Sequence, residues 1–279
     1  MDEGPTMGGP LSGTGAVGMV PKPSGAVPLP SDTVPLTASD PIKVGNYQLL
    51  ARLSPGGASV AYLAQASSGT PPVVLKLAGS RPTGGNRLRR NFVDVAGLKM
   101  PTWYAAKVLG KGTHDGTTYL VREYCDGMTL AQLVAEDGRL DPVTLNAVAV
   151  ATAAAIVAVH DAGQAHGNLK PTNVIVALAG VRLLDHGLAR QSGQPPPRPA
   201  DDVLGWARLV ASAGTGRQLA TTAAESTLDV GNLDRPIGPL VERALSADPE
   251  ERPSARAILL GLVSPAETGG TGPRWRRRR

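Results

Sequence analysis

Most of the side chains in this chain that could do chemistry fall within a short span. The run His166-Gly167-Asn168-Leu169-Lys170-Pro171-Thr172-Asn173-Val174 is followed by Leu184-Asp185-His186-Gly187. Carboxylate and amide oxygens suit hard divalent cations, and lysine ammonium groups act as point charges toward phosphate. Asn168 is an amide, with no lone pair basic enough to take a hydroxyl proton at neutral pH. Cys125 is the only cysteine, so no disulfide can form within the chain and a reducing compartment fits. A polybasic run, Arg274-Trp275-Arg276-Arg277-Arg278-Arg279, ends the sequence.

The elements that must position these groups belong to a chain of 279 residues, enough for one two-lobed domain or two small ones. Hydrophobic residues make up 42% but aromatics only 3%, so the core must rest on Ala, Val and Leu. The net charge of +5 is concentrated in the terminal arginines and informs on partners rather than fold. Met1-Asp2-Glu3-Gly4 has no apolar core and does not read as a signal peptide. The longest apolar run, Ala147 to Val159, is read as too short to cross a bilayer.

Residues 1–44 are rich in Gly, Pro, Ser and Thr without periodicity and are read as disordered. Thr33 and Thr37 within them are candidate phosphorylation sites. From Tyr47 the pattern becomes strand-like: Tyr47–Leu53, a turn over 54–59, Val60–Gln65, then Val73–Leu77 ending on Lys76-Leu77. Arg87–Lys99 has weak helical periodicity. Ala105–Leu109 and Thr118–Val121 are expected as strands, joined by the His114-Asp115-Gly116 turn. Asp141-Pro142 opens a long Ala-rich helix reaching Val159. Short strands at 175–176 and 182–184 follow, then helices over 202–212, 237–247 and 255–262.

In this order the motifs are similar to those of bacterial serine/threonine protein kinases of the actinobacterial type. The agreement runs through Val73-Val74-Leu75-Lys76, Tyr119-Leu120-Val121-Arg122-Glu123-Tyr124, His166 to Val174, Asp185-His186-Gly187, Asp202-Val203 and Asp248 to Ala255. The resemblance covers about residues 46–262. It implies an α+β, two-lobed fold with a β-rich N-lobe, a helical C-lobe and disordered termini. The expected division is a disordered segment over 1–44, a kinase-like domain over 45–263 (N-lobe 45–124, C-lobe 125–263) and a basic tail over 264–279.

The resemblance also assigns roles. Lys76 matches the lysine that grips the α- and β-phosphates, and Asp94 is the nearest candidate for its carboxylate partner. Asn173 and Asp185 match the two magnesium ligands, and Lys170 the lysine that neutralises the transferred phosphate. Glu123 and Cys125 fall in the hinge that meets a nucleotide, and Gly56 is the one signature glycine left in the phosphate loop. Asp202 matches the aspartate that tethers the catalytic-loop backbone.

Several positions depart from the family pattern. Asn168 stands where the catalytic aspartate belongs, and general-base catalysis contributes about 10²–10⁴-fold in rate. Gly167 replaces the arginine that pairs with activation-loop phosphate. Arg122 occupies the gatekeeper position facing the adenine pocket. Two placements are open to it: pairing with Asp94 or Asp185 inside the cleft, or turning to solvent. Only about sixteen residues separate Asp185 from Asp202, and no A-P-E motif follows Arg190. Loss of a substrate platform forfeits effective-molarity terms on the order of 10⁵. Arg252 thereby loses the glutamate it would pair with.

The sequence therefore points to a pseudokinase, a kinase-like regulatory or scaffolding module with at most weak binding of ATP and Mg. The alternative is an atypical but active serine/threonine kinase using ATP-Mg. A signalling protein partner is expected. The tail of Arg274, Arg276, Arg277, Arg278 and Arg279 is read as meeting an anionic membrane surface rather than nucleic acid, on a protein that is cytoplasmic or peripheral at the inner membrane face.

Overall fold

The computed structural model describes residues 29–30, 33–53, 59–78, 104–185, 196–217, 230 and 233–264. The N-lobe is an antiparallel sheet of six strands in the order β1-β2-β3-β4-β6-β5. Its strands are β1 (Lys43–Val44), β2 (Tyr47–Arg52), β3 (Ser59–Gln65), β4 (Val73–Ala78), β5 (Val108–His114) and β6 (Thr117–Glu123). Alternation divides the side chains between two faces. Leu75 and Val121 join Val44, Leu49, Tyr62 and Ala64 in one apolar cluster. The register Lys76↔Leu120 and Val74↔Arg122 puts Lys76 and Arg122 together on the other face.

The C-lobe is built on α2 (Pro142–Asp161), which packs against α3 (Pro199–Thr215) and α5 (Ala255–Val263). Asp141 caps α2 by accepting from the backbone N–H of Val143 and Thr144, with Pro142 at the first helical position, where its missing N–H costs nothing. Val148, Ala149, Ala153, Ile156 and Val159 along it are fully buried. At 20 residues with mean hydropathy 2.0, α2 is long and apolar enough to cross a membrane by length and composition, which corrects the shorter reading from sequence. In the structure it is the central helix of the C-lobe core. Trp206 of α3 is fully buried on it and donates from Nε1 to the Ala149 carbonyl at 3.0 Å.

A three-stranded sheet, β7 (Met128–Thr129), β8 (Val174–Ala177) and β9 (Gly180–Leu183), packs on the C-lobe core through Val174 and Leu183. Thr129 also caps α1 (Leu130–Asp137) through a reciprocal capping box with Gln132. Gly127, just before β7, has φ +155, and a Cβ there would lie 2.6 Å from the Val176 carbonyl oxygen. The segment after β6 can approach β8 this closely only without a side chain.

Three expectations change. The expected disordered segment over 1–44 does not extend to residue 44. Val34 exchanges backbone hydrogen bonds with Arg52 at 2.8 and 2.9 Å, and β1 pairs with β2. Asp40, whose side chain is 2% exposed, accepts from Arg52 at 2.6 and 2.7 Å and from the Tyr62 hydroxyl at 2.7 Å. Backbone bridging and one buried carboxylate hold this strap, and neither produces a hydrophobic period. The strand expected at Ala105–Leu109 begins at Val108, while Ala105 forms a parallel bridge to Leu183. The helix expected from Asp202 begins at Pro199, where proline fits the first turn and Asp201 accepts from the Arg198 N–H at 2.9 Å. The expected helix over 87–99 lies outside the described residues.

Candidate nucleotide cleft

The hairpin β8–β9 explains how two distant polar residues meet. Asn173 immediately precedes β8, and Leu184-Asp185 immediately follow β9, so both sit at the hairpin's open end. The Leu184 N–H donates to the Asn173 carbonyl at 2.8 Å. Asp185 takes φ +58, the left-handed region rarely used by residues other than glycine, which turns the chain sharply out of β9.

Lys76 reaches down from β4 and donates to Asp185 Oδ2 at 2.5 Å, with side-chain exposures of 18% and 9%. Asp185 Oδ1 is buried with no hydrogen-bond partner. Burial works to raise the Asp185 carboxyl, yet Lys76, then Arg122 and Lys170, hold it below the usual carboxylate range. Arg122 is therefore within electrostatic reach of Asp185. Its Nε is buried without a hydrogen-bond partner. Of the two placements open from sequence, no hydrogen bond to Asp185 forms, Asp94 lies outside the described residues, and Arg122 is half-buried.

The segment 166–173 is anchored from behind. Asp202, 1% exposed at the start of α3, accepts from the backbone N–H of His166 at 2.6 Å and of Gly167 at 2.8 Å. His160 Nε2, in the last turn of α2, lies 3.0 Å from the same carboxylate. Asn173 is 4% exposed and donates from Nδ2 to the Asn168 carbonyl at 2.8 Å. Lys170 is exposed. Gly167 has φ +71, and a Cβ there would lie 2.7 Å from Pro197 Cγ. The chain leading into α3 thus packs directly against this loop.

On the hinge side, Glu123 accepts from Arg182 of β9 at 2.7 Å, tying the end of β6 to the three-stranded sheet. Cys125 is half-buried, and burial followed by the neighbouring Glu123 pushes its thiol up, so it stays protonated and inert at neutral pH. Arg252 is not left without partners as its sequence context suggests. It donates to the carbonyls of Ser246 at 2.9 Å and Ala200 at 3.0 Å, and lies 3.9 Å from Asp201. Gly56, Asp94 and the tail arginines lie outside the described residues.

The structure thus brings Lys76, Asp185, Asn173 and Asn168 into one cleft, with Glu123 and Cys125 at its hinge. His160, Arg182 and Asp201 were not singled out from sequence. A histidine closing an otherwise apolar helix was the one available signal among them. Asn173 and Asp185 offer the oxygen atoms that a small divalent cation prefers. The charge around them does not fit one. Among the described residues, Lys76 already occupies Oδ2, and Arg122 and Lys170 add positive charge around the same carboxylate. Among the described residues, no cluster of three or more His, Cys, Asp or Glu could hold a metal.

The sequence profile of the protein kinase domain matches residues 104–211, spanning the hinge, the anchored loop and most of α3. Over these residues the chain is similar to the protein kinase domain, and the curated relatives it matches are bacterial serine/threonine protein kinases. The probable serine/threonine-protein kinase PkwA of Thermomonospora curvata is 26% identical over 266 residues, which are 85% of this chain and 36% of that protein. Serine/threonine-protein kinase AfsK of Streptomyces coelicolor is 30% identical over 155 residues, 55% of this chain and 19% of AfsK. Serine/threonine-protein kinase PknL of Mycobacterium tuberculosis is 33% identical over 150 residues, 52% of this chain and 37% of PknL. The chain spans little more than a third, at most, of these relatives.

Among solved structures, the Mycobacterium tuberculosis PknI kinase domain superposes with a TM-score of 0.65 at 21% identity, covering 81% of this chain and 98% of that one. Rad53 in complex with AMP-PNP gives 0.62 at 17% identity, covering 77% and 64%. At these identities the likeness establishes the fold, the two-lobed kinase architecture expected from sequence. The cleft described above is therefore the interlobe cleft of a kinase-like domain.

Proposed function

We propose that this kinase-like domain is a pseudokinase that works as a regulatory or scaffolding module, binding ATP weakly and transferring little or no phosphate to protein. The observation that carries this reading is the route from Asp185 to α3. Only residues 186–198 connect them, and Pro197 at the end of that stretch packs on Gly167. That length leaves no room for the platform on which a peptide hydroxyl would be aligned, and positioning is most of what phosphoryl transfer requires. Asn168 compounds the loss, since its amide cannot accept the hydroxyl proton.

Lys76 paired with Asp185 favours retained nucleotide binding, and it is also the observation that favours the second reading, an atypical active kinase. A radiolabelled-ATP assay with Mg²⁺ or Mn²⁺, run beside Asn168→Asp, separates the two. The pseudokinase reading expects no transfer by the natural sequence. Transfer that disappears in both Lys76→Met and Asp185→Ala would establish the active kinase instead.

A protein partner in bacterial signalling is the corresponding biological role. The terminal arginines would add attraction to anionic lipid on the cytoplasmic side, at about 1 kcal/mol per charge near the surface. Co-sedimentation with phosphatidylglycerol vesicles, with and without residues 274–279, tests this attachment. Binding that ignores ionic strength argues against it.

A further inference from the structure

Two buried polar atoms of the cleft have no hydrogen-bond partner, Arg122 Nε and Asp185 Oδ1. They belong to groups of opposite charge. Arg122 shares a sheet face with Lys76 through the register Val74↔Arg122 and Lys76↔Leu120. Lys76 takes one oxygen of Asp185 at 2.5 Å, which uses the only carboxylate that the described residues contribute here. Arg122 acts electrostatically on Asp185 and also on Cys125, three residues further along in the hinge.

Counting charges among the described residues, Lys76, Arg122 and Lys170 contribute three positive charges around Asp185 and Asp185 one negative, an excess of two. A buried guanidinium N–H without an acceptor is costly. A divalent cation would deepen the imbalance, competing with three cations for one carboxylate. A polyanion rich in acceptor oxygens would relieve it and supply the acceptor that Nε lacks.

We propose that the cleft binds the polyphosphate of a nucleoside triphosphate without a divalent metal, with Arg122 providing the positive charge that a metal ion would otherwise bring. This rests on the reading that the cleft holds a nucleotide at all. Arg122 is then a binding residue of the cleft rather than a plug in its base pocket.

The test uses the full chain and follows melting temperature and equilibrium affinity with ATP, in excess EDTA and in MgCl₂. Inorganic tripolyphosphate serves as a probe without a base. The expected result is an ATP-induced rise in melting temperature that persists in EDTA and is no larger with Mg²⁺. Tripolyphosphate should give a smaller rise in the same direction. Arg122→Met should weaken ATP binding in EDTA tenfold or more, and Arg122→Lys, which keeps the charge but lacks the Nε donor, should weaken it less than Arg122→Met does. The melting temperatures of the unliganded variants check their folding. If Arg122→Met does not fold, the EDTA arm still decides.

Stabilisation that appears only with Mg²⁺ overturns the metal-free proposal and leaves nucleotide binding standing. Unchanged or tighter binding by folded Arg122→Met overturns the role of Arg122, since a plug would behave in that way. No stabilisation by ATP under either condition removes the nucleotide reading itself.

Discussion

Asp202 holds the loop that carries Asn168 by accepting from two backbone N–H groups while 1% exposed. Hydrogen bonds to a charged acceptor contribute about 1.5–3 kcal/mol each. Asp202→Ala, which also strips His160 of its partner, should lower stability by about 3 kcal/mol or more in urea unfolding. Gly167 makes an opposite point. Restoring the arginine expected by family pattern would force a side chain into φ +71 and onto Pro197 at 2.7 Å. Gly167→Arg should cost about 1–3 kcal/mol of backbone strain, read as a lower melting temperature, with no gain of phosphotransfer. The glycine is thus not a lost arginine waiting to be replaced, because Pro197 already occupies the space beside it. Lys76, Asn173 and Asp185 were legible from the family resemblance of the motifs that carry them. His160 and Asp201 were not, because each acts on a partner more than forty residues away, 202 and 252 respectively.

The N-terminal strap was invisible to pattern reading. Val34–Asp40 has no period of 2 or 3.6, yet its bridge to Arg52 and the Asp40 cluster fasten it to β2 and β3. Burial works to raise the Asp40 carboxyl, but the Arg52 hydrogen bond, with help from the Thr37 N–H and Tyr62, holds it far below its ordinary value. Tyr62 in turn is pushed up to about 12, by burial and then by Asp40. A carboxyl whose folded-state pKa is depressed stabilises the fold above its unfolded value of about 3.9 and loses that contribution as pH falls below it. Asp40→Asn should therefore unfold more readily than the natural protein at pH 7. The two should converge as pH drops below about 4, measured by urea titration across pH. If the gap held constant into acid, Asp40 would not be the charged centre of this cluster.

Among the described residues, ion pairs and backbone bridging join the two lobes. Lys76 meets Asp185 at 2.5 Å, Arg182 meets Glu123 at 2.7 Å, and Ala105 bridges Leu183. A double-mutant cycle of Lys76→Met and Asp185→Ala should return a coupling of about 0.5–3 kcal/mol in stability. Additive effects would mean that the pair does not hold the lobes together. The same pair makes the cleft cation-rich, because it uses the carboxylate that would otherwise balance Arg122. Closure of the domain and the charge of its cleft are thus one arrangement seen at two scales.

The ordered run of motifs was enough to determine the kinase-like architecture, the strands around Lys76, the start of α2 at Asp141 and the identity of the residues in the cleft. The architecture and the cleft residues rest on the family resemblance that these motifs carry together; the strands and the helix start rest on local capping and periodicity, which the chain carries in its own order. The tertiary structure alone decided that Arg122 keeps a buried Nε without a partner, that Asp185 gives one oxygen to Lys76, that Arg252 finds carbonyls in place of a glutamate, and that Pro197 covers Gly167. These outcomes depend on which distant surfaces meet and what charge each finds there. A lysine or an aspartate looks the same in sequence whether it faces a ligand or another residue.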